Sequence, residues 1–131
     1  MADKLIDTLN LENGLTLNLM DNSRKIAGDR YVIRVTARIS IDVDEKWFTT
    51  TRPPVPVSVL REKLGDKVVF TQTHERNFID ENERIPMTDS FADRFRTKSA
   101  TYFAHPDFAW KFILRQYNEL PEVKYGPSYR V

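Results

Sequence analysis

From Arg30 to Asp44 the chain alternates apolar and polar residues with one exception. Tyr31, Ile33, Val35, Ala37, Ile39, Ile41 and Val43 fill the odd positions, and all are apolar. Of the even positions, Arg30, Val32, Arg34, Thr36, Arg38, Ser40, Asp42 and Asp44, only Val32 is apolar. Side chains on a β-strand point to opposite faces with period two, so this stretch reads as one long strand, buried on one face and wet on the other. At ~3.3 Å per residue it would span about 50 Å. That exceeds the reach of a domain of 131 residues, so a bend or bulge near Thr36-Ala37, or a projecting end, is expected.

The flanking segments suit a sheet built around this strand. Leu5 to Leu11 alternates in part, with Asp7 interrupting its apolar face. Glu12-Asn13-Gly14-Leu15 follows, and Asn-Gly is the preferred centre of a type I′ hairpin turn. Leu15, Leu17 and Leu19 then face inward on a second strand. Asp21 to Asp29 carries loop chemistry and leads into the long strand, giving an antiparallel meander. Glu45 to Val57, with Pro53, Pro54 and Pro56, reads as an extended connection, because proline cannot donate to a ladder. Ser58 is positioned to cap a short helix, Val59 to Leu64, closed by Gly65.

Lys67 to Ile79 reads as a fourth strand whose polar middle, Gln72 to Asn77, either breaks it or faces solvent. Asp80 to Arg84 is a charged loop. A helix beginning around Pro86 to Asp89 carries Phe91, Phe95, Tyr102 and Phe103 at helical spacing. Phe108 to Leu120 is the most apolar helix, and Pro121 ends it. The tail from Glu122 to Val131 reads as irregular. Strands first and helices last imply a single α+β domain over residues 1–131: an antiparallel meander with an N-terminal hairpin, packed on one face by C-terminal helices.

Composition bounds the function. Twenty Lys and Arg against nineteen Asp and Glu leave a net charge of +1, which argues against a nucleic-acid binder. There is no Cys, so thiol catalysis and Cys-ligated zinc are excluded. The first residues lack the apolar core of a signal peptide, and no apolar run approaches the ~18 residues of a membrane span, so no membrane contact and a cytoplasmic location are expected.

Arg30, Arg34 and Arg38 form a ladder on one face of the long strand. Guanidinium forks grip phosphate oxygens, so the ladder is a candidate anion site for phosphate or nucleotide. The plainer alternative is a solvated face paired with carboxylates on neighbouring strands, which Asp42 and Asp44 favour. His74-Glu75 offers an acid–base pair, but Phe78 stands where a zinc-protease motif needs its second His. The loop Asp80, Glu81, Glu83 lacks the ligand spacing of a calcium loop. No catalytic residue, metal site or cofactor is nominated.

Asp21-Asn22-Ser23, near Arg30 and Arg34, is similar in part to the motifs of the cyclic-dinucleotide-binding PilZ family. Ile26 stands where that family has Gly, and its arginine pair precedes the second motif rather than following it. That reading is not adopted. Asn13 to Leu17, Asp21 to Arg24 and Ala27 to Arg30 together resemble small bacterial proteins of unassigned function, which implies a bacterial cytosolic origin and no particular activity.

Two Trp, eight Phe and five Tyr are present, concentrated in the second half. Most are expected in the core. The Phe108–Leu120 helix is apolar nearly all round, with only Lys111, Arg115 and Gln116 as a polar strip. Its excess points to an interface at Phe108, Trp110 and Leu114. The leading expectation is therefore a non-enzymatic interaction or accessory protein that works through protein contacts and forms a homodimer; an anion-binding module using Arg30, Arg34 and Arg38 stands second, and an enzyme using His74 and Glu75 third.

Overall fold

A computed structural model of the chain describes residues 3–120; the segment Glu122 to Val131 lies outside them. The elements in order are β1 (Lys4–Asn10), β2 (Thr16–Asp21), β3 (Arg24–Ala27), β4 (Arg30–Asp42), α1 (Val57–Leu64), β5 (Lys67–Asp80), α2 (Arg84–Ser99) and α3 (Phe108–Asn118). Short 3-10 turns occupy Glu45–Trp47 and Glu81–Glu83. The sheet is wholly antiparallel and open, and the class is α+β.

β4 is the central strand. One of its edges takes β2 and β3, and the other takes β5 along almost its whole length. β2 and β3 hold one register against it: Leu17 faces Ile39, Asp21 faces Val35 and Arg24 faces Val32. They are one strand interrupted at Asn22-Ser23, where side chains enter the ladder. The Arg34 amide donates to Ser23 Oγ at 2.9 Å, and Thr36 Oγ1 donates to Asn22 Oδ1 at 2.7 Å. The expected loop from Asp21 to Asp29 is therefore mostly strand.

No bend falls at Thr36-Ala37. The irregularity sits further along, where Asn77 and Phe78 of β5 together oppose Val32. Phe78 has φ 57° there, a left-handed conformation costly to a bulky residue. The polar middle of β5 does not break it. Thr71, Thr73 and Glu75 lie on the open face, while Gln72 and His74 point toward the helices, opposite Ala37 and Val35.

The first hairpin differs from a type I′ turn. Gly14 N–H donates to Leu11 carbonyl at 3.0 Å and Leu11 N–H to Leu15 carbonyl at 2.8 Å, closing a three-residue loop. Only Gly14 has positive φ, +93°, as in a type I turn followed by a left-handed residue. Asn13 serves through its side chain instead. It accepts from Leu15 N–H at 3.1 Å and donates to the carbonyls of Phe103 at 2.8 Å and His105 at 3.1 Å.

The core lies between the sheet and the helices. Ile33, Val35, Ala37, Ile39 and Ile41 of β4 are fully buried with Leu17 and Leu19 of β2, beneath Leu60, Phe95 and Ile113 of the three helices. Asp7, which breaks the apolar pattern of β1, faces α2 and pairs with Arg96 at 3.2 Å. α1 begins at Val57 behind Pro56, with no side-chain cap from Ser58. α2 begins at Arg84, earlier than expected, because Pro86 falls within the first turn, where amide protons have no helical partner to lose. It ends at Ser99, so Tyr102 and Phe103 lie in the following turns. No helix among the described residues is long and apolar enough to cross a membrane.

Candidate functional site

β5 is an edge strand, and α3 runs beside it. Phe70, an inward residue of β5 opposite Ile39, is the hub of an aromatic cluster. Its ring meets Phe103 at 5.4 Å, Phe108 at 5.2 Å and Phe112 at 5.4 Å, each edge-on. Edge-to-face contact sets the positive rim of one ring against the negative face of another and fixes their orientation. Rigid rings cannot fill the space between strand and helix completely. A groove of about 530 Å³ remains, lined by Phe70, Thr101, Tyr102, His105, Phe108, Lys111, Phe112 and Arg115.

The rim of this groove is basic. Lys111 and Arg115 are four residues apart on α3, and both are exposed. Among the described residues neither has a carboxylate partner and no carboxylate lines the groove. Lys111 Nζ lies 5.8 Å from the Trp110 ring centroid. The 101–105 wall is held in place by Asn13, which ties it to the first hairpin. An apolar floor with cationic edges suits a ligand that has an apolar body and a negative group.

The arginine ladder divides. Arg30 Nη1 pairs with Asp80 at 2.6 Å, with Asp29 at 3.9 Å. The Asp80 carboxyl is held below its ordinary range, first by the Asn82 backbone N–H and then by Arg30. Arg34 pairs with Glu75 across β4 and β5. Arg38 has no carboxylate partner among the described residues. It stands with Arg34 and Arg24 around a shallow depression of about 390 Å³ on the open face of the sheet. Arg30 does not line that depression. Arg24 does; its strand is exposed throughout, so no alternation in the sequence marks it, and only its pairing opposite Val32 brings it to this face.

His74 and Glu75 are on opposite faces of β5, as adjacent strand residues must be. Glu75 serves Arg34. His74 stacks on Phe95 at 4.6 Å, beside Phe91 at 5.6 Å, and its Nε2 is buried without a hydrogen-bond partner. The two do not form an acid–base pair. Asp80, from the acidic loop, is taken up by Arg30 and the Asn82 amide. No group of three or more metal-ligating side chains meets among the described residues.

Burial lowers the His74 pKa from its ordinary 6.5, and the cations Lys98 and Arg94 lower it further. The folded state therefore resists protonation that the unfolded chain accepts. Stability from this group is intact above pH 6.5 and is lost as pH falls below that value. Urea titrations at descending pH should show this loss in the parent and a smaller one in His74→Gln. Equal pH dependence in both would remove His74 as the cause.

Of the residues expected at an interface, Phe108 is buried within its own chain. Trp110 and Leu114 are half-buried, and Trp110 Nε1 donates to Asp107 Oδ1 at 3.0 Å. Comparison with known protein families, with curated proteins and with solved structures finds no match.

Proposed function

We propose that this protein is a non-enzymatic interaction module that binds an apolar, negatively charged ligand segment in the groove between β5 and α3. The observation that carries this is the pairing of an aromatic floor with Lys111 and Arg115 at its rim. Apolar burial supplies affinity there, and Lys111 and Arg115 select for charge. Acid–base chemistry is not favoured, because His74 and Glu75 are separated by the strand. A bacterial, cytoplasmic setting is part of this proposal, resting on the resemblance of the first third to small bacterial proteins.

The test uses anilinonaphthalene sulfonate, which joins an aromatic body to a negative group. Its fluorescence should rise on binding the native protein and saturate. The exposed double variant Lys111→Glu with Arg115→Glu should fold normally and weaken binding by about tenfold or more, since tenfold corresponds to about 1.4 kcal/mol. Unchanged binding by that variant would reject the groove as the site.

Self-association is a second, independent proposal. Trp110, Leu114 and Tyr117 are half-buried and recur along one stripe of α3, and a repeated apolar stripe is commonly closed by a two-fold dimer. Sedimentation equilibrium should give a dimer mass, and Trp110→Ala should weaken it while leaving the subunit folded. A monomer at high micromolar concentration rejects the proposal.

A further inference from the structure

The groove adjoins an unpaired sheet edge. β5 bonds to β4 on one side only. From Lys67 to Arg76 its other side makes no backbone hydrogen bond to any other element among the described residues. Beyond that stretch the bulge at Asn77 and Phe78 interrupts the regular edge. Such an edge is a template for one more strand. A strand laid along it would alternate its side chains between the two faces of the sheet. Those beside Val69 and Thr71 would stay on the open face. Those beside Phe70 would point into the groove.

We propose that the occupant is an extended segment of another protein, with carboxylates two residues either side of an apolar residue, which joins the sheet as an added strand along β5. This rests on the groove being the binding site and adds how the ligand is held. Main-chain hydrogen bonds to β5 would supply register, an apolar side chain would fill the space over Phe70 and Phe112, and carboxylates two residues away, on that same face, would meet Lys111 and Arg115. Lys98, whose Nζ lies 3.5 Å from Gln72 Oε1, adds a further cation next to the same strand.

Charge and packing favour this occupant over two others. A second copy pairing through its own β5 would bring Val68 and Phe70, which are already buried in that copy's core, so nothing would enter the groove. The residues after Leu120 carry Lys124 and Arg130 against Glu122, the wrong balance for a basic rim.

The test titrates the full chain with a blocked peptide of about six residues, in which aspartates stand two positions before and after one leucine and threonines fill the positions between, and follows displacement of anilinonaphthalene sulfonate. Two further peptides carry N-methyl groups on alternate amides, one set for each edge of the extended peptide. Strand addition requires one edge only, so one methylated peptide should lose about tenfold or more in affinity while the other binds like the parent. A lysine-for-aspartate peptide should bind more weakly than the parent. If both methylated peptides displace the dye as well as the parent does, the groove reading stands and strand addition is overturned. If the dye binds and no peptide displaces it, an extended acidic segment is not the occupant. If the dye itself fails to bind, the groove reading falls first.

Discussion

Ile39→Asp abolishes the fold. Ile39 is fully buried at the crossing point of the sheet, paired with Leu17 on one side and Phe70 on the other. A carboxylate there has no cation to meet, because the surrounding core is apolar. It must either stay charged in a medium that solvates it poorly or take up a proton and leave a polar group unpaired. The cost is several kcal/mol against a total stability of about 5–15 kcal/mol. Circular dichroism should show no cooperative melt for this variant. A melt at the parent's temperature would mean that the odd positions of β4 do not face the core.

Phe70→Ala should be the next most damaging change among those considered, and it acts on the site as well as on stability. Its ring joins β5 to Phe103, Phe108 and Phe112, so its removal unlinks the sheet from α3 and enlarges the groove. Truncating a buried Phe to Ala typically costs about 3–5 kcal/mol. Residual exposure of 8% at Phe70 places it toward the lower end. The melting temperature should fall by on the order of 10 °C, with the fold retained. A drop of only a degree or two would show that the aromatic cluster does not hold α3 against the sheet.

Sequence patterning captured what a buried face imposes and missed what it does not. β4 was legible because every other side chain enters the core, and α3 because its apolar face does. β3 was not legible: Arg24, Lys25, Ile26 and Ala27 are all exposed, so no burial marks an alternation. The polar middle of β5 pointed to a break or to solvent; the strand is unbroken, with Thr71 and Thr73 on the open face while Gln72 and His74 sit beneath the helices. The same alternation already separates His74 from Glu75.

The arginine ladder was legible as a shared face but not as a set of pairings, since those depend on which residues β5 sets opposite. Asp80 and Glu75 claim Arg30 and Arg34 and leave Arg38. The groove was hidden for a similar reason. Phe70 and α3 are far apart in sequence, and only the fold brings them together. What the sequence did carry was Lys111 and Arg115, four residues apart on a mostly apolar helix; they mark the groove's rim.

The claim that the β5–α3 groove is the binding site is tested most directly by amide chemical-shift mapping during titration with anilinonaphthalene sulfonate. Shifts should concentrate on Phe70, Thr101 to His105 and Phe108 to Arg115, the residues around the groove. Shifts confined instead to Arg24, Arg34 and Arg38 on the open face would contradict the account and move the site to the arginine depression.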